Sequence, residues 1–68
     1  MTVAELTSDM IKTLSRGDHL GGYSNRQLKS AISFIEKVRE FHNRMGNVSE
    51  AYYLSTRLNS LIDILDHR

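Results

Sequence analysis

Asp63 and His67 stand four residues apart, the spacing at which two side chains of one helix turn toward the same point. Together they could hold one face of a metal ion. A zinc-type site needs three or four such ligands, and neither His19 nor His42 lies near them in sequence. The plainer reading is a helix-end pair that stabilises the last turn. Asp18, His19 and Ser24 fall within seven residues and are the types a nucleophilic site uses. Such a site needs the nucleophile, its base and an orienting acid held rigidly. Here Asp18 and His19 are adjacent in the Gly-rich stretch GDHLGG, and Ser24 sits where a helix cap is needed. Gly21 and Gly22 precede a helix start and could approach a phosphate. A phosphate loop carries a longer Gly pattern, a Lys just inside the helix and a preceding strand, none of which is present. His42 falls on the apolar seam of its helix, the position of a histidine bonded inside a bundle. These features predict no enzyme, no metal and no cofactor.

The elements that must position these residues are legible from their caps. TVAE opens the chain with a capping box, Thr2 accepting from the amide three residues on and Glu5 reaching back. Val3, Leu6, Met10 and Leu14 then recur at helical spacing until Gly17, which predicts a helix over 3–16. YSNRQL repeats the grammar, with Ser24 as cap, Gln27 as its partner and Tyr23 and Leu28 as a hydrophobic staple. Leu20 is expected to tuck into the core and hold the intervening connection down. That connector is about twice the three or four residues of a helix-turn-helix, so a DNA reader of that type is not expected. A second helix over 25–45 carries Leu28, Ala31, Ile35, Val38, His42 and Met45 as a seam. Phe34 and Phe41 flank it on one side and Ile32 on the other, an apolar arc broader than one neighbour requires. Gly46 stops this helix. Asn47 and Glu50 form a third capping pair, and a third helix over 48–66 presents Ala51, Leu54, Leu58, Leu61, Ile62 and Leu65 on its main face. The short joint makes the last two helices antiparallel.

The expected fold is therefore all-α. It is a three-helix bundle in a single domain, 1–68, with a short first helix folded over one side of a long antiparallel hairpin. Leu28, Ile32, Ile35, Val38, Leu54, Leu58, Leu61 and Leu65 are the expected core. A chain of 68 residues buries a thin core. With no Cys it has neither disulfide nor thiolate metal site to support it, which leaves regular packing or a partner chain.

The stretch LSTRLNSLIDIL resembles the second helix of the small sporulation-regulator phosphatases, which are helical hairpins with a Ser-Gln-Glu-Leu-Asp motif. The matching positions here are Ser55, Thr56, Arg57, Leu58 and Asn59, without the acidic residue that motif uses, so the resemblance does not imply that activity. A short helix, a Gly-Asp loop and two long helices also resemble small biofilm regulators of enteric bacteria, which implies a dimeric regulator. The chain is assigned to neither family.

Charge and exposed apolar residues carry the functional expectation. Nine Lys and Arg against eight Asp and Glu give a net charge of +1, unlike the basic excess of a strong nucleic-acid binder. No apolar run is long enough for a membrane span, and the start of the chain lacks a secretion-signal pattern, so the expected location is cytoplasmic. Tyr53 and Ile64 fall opposite the leucines of the third helix, on a strip with Arg57 and Ser60. Phe34 and Phe41 edge the second helix. The first helix could cover Phe34 and Phe41 but not easily Tyr53 and Ile64 as well, so a surplus apolar strip is expected to meet a protein partner or a second copy in a homodimer. The expected function is a small non-enzymatic protein-binding module, a regulator or inhibitor of a larger bacterial or phage protein. The alternative is a nucleic-acid-binding helical dimer presenting Arg26, Lys29, Lys37 and Arg44, with Glu36 and Glu40 among them. Such binding would be weak and salt-sensitive.

Overall fold

The computed structural model describes residues 1–68 and contains three helices, α1 (Val3–Ser15), α2 (Asn25–Arg44) and α3 (Val48–Asp66), with no strand. Each boundary lies within a residue or so of the sequence expectation. Both predicted capping boxes form. Thr2 Oγ1 accepts from the Glu5 amide at 3.2 Å while Glu5 Oε1 accepts from the Thr2 amide at 3.4 Å. Ser24 Oγ accepts from the Gln27 amide at 3.2 Å while Gln27 Oε1 accepts from the Ser24 amide at 2.8 Å. Reciprocal satisfaction of these otherwise orphaned donors is what fixes both starts.

The third cap differs from the expectation. Asn47 precedes α3 but its side chain accepts nothing from that helix. The reason is that Asn47 also closes α2. Gly46, at φ +78°, donates to the Asn43 carbonyl at 3.2 Å, and the Asn47 amide donates to the His42 carbonyl at 2.9 Å. These are the two paired bonds of a Schellman ending. The Asn47 side chain turns back with its main chain, and Nδ2 donates to His42 Nδ1 at 3.2 Å. His42 is therefore half-buried and bonded at the end of the hairpin rather than within its seam.

The hairpin of α2 on α3 is the main packing unit, and α1 lies chiefly on α2. Met10, Leu20, Leu28, Ala31, Ile35, Leu58 and Leu61 form one buried cluster. Leu6, Ile11, Leu14, Ile32, Leu54, Ile64 and Leu65 are half-buried around it. Of the expected core, Leu28, Ile35, Leu58 and Leu61 are fully enclosed, Ile32, Leu54 and Leu65 are half-buried against them, and Val38 is half-buried outside the cluster. The assignment of α3 faces needs one correction. Ile62 is 37% exposed, whereas Ile64 packs against the core cluster. The core is a wedge filled from α1 and the 16–24 connection, and it draws on Ile64 rather than Ile62.

That connection is anchored twice. Leu20 is wholly buried although its φ is +60°, a left-handed conformation that L-residues with a branched side chain rarely adopt. Its amide donates to Asp18 Oδ1 at 2.6 Å, and its carbonyl accepts from the Tyr23 amide at 3.1 Å. Arg68, two residues beyond α3, clasps the same turn. Its guanidinium donates to the Leu20 carbonyl at 2.6 Å, the Tyr23 carbonyl at 2.7 Å and Asn25 Oδ1 at 3.0 Å.

Candidate functional site

At 1.5 Å per residue, the 13 residues of α1 reach about 20 Å and the 20 residues of α2 about 30 Å. Part of the hairpin therefore extends past the helix that covers it. Core residues on α2 stop at Ile35, and those on α3 begin at Leu54. Toward the tip only Ala51 is buried. Phe41, Met45, Val48 and Tyr52 there are all more than half exposed.

Where α1 does meet the hairpin, the three helices leave an apolar cleft of about 370 Å³. Ile11 and Lys12 of α1, Phe34 and Val38 of α2, and Tyr53 and Leu54 of α3 are among its walls. Phe34, Val38, Phe41 and Met45 follow at spacings of four, three and four, one face of α2. The cleft thus runs out along α2 onto the uncovered tip. Arg57 stacks on Tyr53, one of these wall residues. Its guanidinium carbon sits 5.0 Å from the Tyr53 ring centroid, a cation–π distance. Its Nε–H is buried with no acceptor.

The five residues expected to meet a partner are thus placed unequally. Phe34 and Tyr53 line the cleft, Arg57 stacks on Tyr53, and Phe41 continues the face of α2. α1 covers Phe34 in part and leaves Phe41 open. Ile64 is not with them. It is half-buried against the core at the other end of α3, beside His19, His67 and Arg68. The sequence reading missed Met45, Val48 and Tyr52 as exposed positions. A signal existed: Met45 and Val48 flank the hairpin joint, and a 13-residue α1 is too short to cover the whole length of the hairpin.

The cations of the nucleic-acid alternative divide as well. Arg26, Lys29 and Lys37 surround a shallow depression of about 490 Å³ with Val3, Ser30, Ser33 and Phe34. No carboxylate lines it, and none of the three cations is ion-paired. Arg44 is elsewhere engaged, donating to Glu40 at 2.6 Å in an exposed helical pair.

The polar groups that could do chemistry are either engaged in local bonds or do not converge on one point. Ser24 is occupied as a cap, and Asp18 Oδ1 is bonded to the Leu20 amide. Gly21 and Gly22 have no positive φ and face open space. His19, Asp63 and His67 share a depression of about 510 Å³ with Arg68, but no three potential ligands converge to hold an ion. Asp63 and His67 form the helix-end pair. His67 Nδ1 donates to the Asp63 carbonyl at 2.7 Å, with the Asp63 carboxylate 3.4 Å away. The carbonyl bond first, and the carboxylate charge after it, favour the imidazolium and raise His67 above its ordinary 6.5, with a smaller push from Asp66.

Comparison of the chain with protein-family models, with curated proteins and with solved structures gives no match.

Proposed function

We propose that this chain is a protein-binding module that acts by contact, a regulator or inhibitor of a larger protein, with its working surface on one face of α2 and the adjoining cleft. One observation supports the reading above others. The apolar run Phe34, Val38, Phe41 and Met45 begins in a three-helix cleft and continues onto a hairpin tip that the chain itself does not cover. Contiguous exposed apolar surface of this kind marks interaction sites in small soluble domains. The polar groups, by contrast, are spent on caps, turns and helix ends.

The test is cross-linking from position 41. A photoreactive residue replaces Phe41 in the tagged chain, expressed in the cell that makes it, and adducts are identified by mass. A recurrent protein adduct that disappears when Tyr53→Ala and Met45→Ser are added supports the module reading. Adducts to nucleic acid alone, or no adduct above that of a control placed at Ser55 on α3, refute it. Ile64 is unsuited to such a control because its packing would be disturbed.

A second reading has its own observation in the three unpaired cations around one depression. In that reading Arg26, Lys29 and Lys37 touch phosphates and Arg44 does not. Binding of a mixed-sequence duplex would then fall steeply with salt. It would be lost in Arg26→Glu/Lys37→Glu and retained in Arg44→Glu.

A further inference from the structure

Resting on the second of these readings, we infer that the depression over Arg26, Lys29 and Lys37 takes a single strand of nucleic acid, its phosphates on the three cations and a base stacked on Phe34. Three features of the depression define that ligand.

The first is how the fold sorts the charges of α2. In sequence Glu36 and Glu40 are interspersed with the cations. In the structure Arg26, Lys29 and Lys37 open onto one depression whose wall holds no carboxylate. Glu36 and Glu40 line the neighbouring one with Arg39, and Glu40 is already bonded to Arg44. Lys37 stands on the ridge between the two and pairs with neither acid. Like charges gathered on one face repel one another and gain from an incoming polyanion.

The second is a pair of unspent hydroxyls. Thr7, Thr13, Ser15 and Ser60 return theirs to main-chain carbonyls four residues earlier. Ser30 and Ser33, also helical, do not, and both line the depression between the cations. Hydroxyls beside Lys and Arg are ordinary partners of phosphate oxygens.

The third is Phe34, half-buried in the same wall. An aromatic ring among cations is the combination that holds single strands without regard to sequence, because every base has a face to stack. A duplex keeps those faces inside its own stack. Val3 of α1 stands in the wall as well, so α2 does not project alone as a helix entering a major groove about 12 Å wide does. From Arg26 to Lys37 the face measures about 16 Å, the rise of four or five stacked nucleotides at about 3.4 Å each.

The experiment titrates the full chain, by fluorescence anisotropy, into labelled oligothymidylate of about 12 nucleotides, an abasic backbone of the same length and a matching duplex. Oligothymidylate should bind more tightly than the duplex, and about fivefold or more above the abasic strand, the worth of one stacked base. Its log K should fall against log salt with a slope of about −2, three phosphates at about 0.7 each. Lys29→Gln and Lys37→Gln, both fully exposed, should each take about 0.7 from that slope, and Arg44→Gln should leave it unchanged. Phe34→Leu, which keeps an apolar side chain in the wall, should abolish the advantage over the abasic strand.

A duplex that binds as tightly as the single strand overturns the inference and leaves the nucleic-acid reading in place. Equal binding of the abasic strand overturns it too, since the phosphates alone then carry the affinity. Binding of polyglutamate or of phosphatidylserine vesicles, with no binding of any oligonucleotide, identifies an acidic protein or a membrane and removes both the inference and the reading it rests on. Absence of binding to all of these probes does the same.

Discussion

Leu20 is the one non-glycine residue with a left-handed backbone, and its side chain is wholly enclosed. These two facts make opposite demands on a substitution, which gives a sharp test. Leu20→Ala removes a fully buried side chain and keeps the strain, so it should cost about 2–5 kcal/mol. Native domains hold about 0.05–0.15 kcal/mol per residue, so a chain of 68 residues has roughly 3–10 kcal/mol in all. The variant is therefore near its folding threshold. The informative step is the next one, from Ala to Gly. At Leu28, equally buried but helical, that step loses about 1 kcal/mol in helix propensity and about 0.8 kcal/mol for the methyl group. At Leu20 the methyl loss recurs, with about 0.4–1 kcal/mol for the freer unfolded chain. Against this, removing Cβ relieves about 1–2 kcal/mol of left-handed strain. The Ala-to-Gly step should be near zero at Leu20 and close to 2 kcal/mol at Leu28. Urea melts of the four variants followed by circular dichroism at 222 nm measure both steps. Equal trimethylamine oxide in every sample secures folded baselines. A Leu20 step as large as that at Leu28 refutes the left-handed assignment. A cost below about 1 kcal/mol for Leu20→Ala refutes its place in the core.

Arg68→Ala should cost about 1–2 kcal/mol, since two main-chain carbonyls and Asn25 lose charged donors at a largely exposed site. A matching rise in amide exchange at Tyr23 checks it. Gly46→Ala should destabilise by about 1 kcal/mol because φ is +78° there, whereas Gly22→Ala, in open space without positive φ, should be neutral or gain about 0.4–1 kcal/mol; thermal melts compare the pair. Ile64→Ala should cost more than Ile62→Ala, by about 1 kcal/mol, the reverse of the order that the helical pattern suggests. His67 is protonated more readily in the folded chain than in the unfolded one, so its contribution is complete below the unfolded value of 6.5 and fades as pH rises through the raised folded value. An NMR titration should find His67 above 6.5 and Asp63→Asn should bring it down; a value at or below 6.5 in the unmodified chain contradicts the pairing.

The helices were legible because their signals are local. Thr2 with Glu5 and Ser24 with Gln27 specify starts, and Gly17 and Gly46 specify ends by conformations that only neighbours influence. Asn47 misled because a two-sided joint gives one residue two duties, and closing α2 took precedence over opening α3. The left-handed turn in the 16–24 connection was hidden for a different reason. Two glycines stand next to Leu20, yet the chain places the strained φ on the leucine, because burial of that side chain and its bonds to Asp18 and Arg68 over-determine the turn. Those forces come from residues up to 48 positions away. Ile62 and Ile64 illustrate the same limit on the candidate surface. Periodicity gives a helix its apolar face to within a residue or two, but the angle at which α1 and the connection wedge against α3 decides which isoleucine is covered. Phe34, Phe41, Tyr53 and Arg57 were found because aromatics at helical spacing announce themselves. That Phe34 and Tyr53 line one cleft while Phe41 stays open depended on where α1 packs.

The Arg68 clasp also dictates an order of events in folding. The α2–α3 hairpin joins near neighbours in sequence through a three-residue joint, and such local contacts form early. The clasp closes a loop between Leu20 and Arg68, whose closure entropy must be met before any bond rewards it. It can form only once both ends of the hairpin are in place. Arg68 should then have a φ-value near zero, so Arg68→Ala should leave the refolding rate almost unchanged and express its whole cost as faster unfolding. The clasp is in this sense a latch on the native state's lifetime, with little part in guiding the chain toward it.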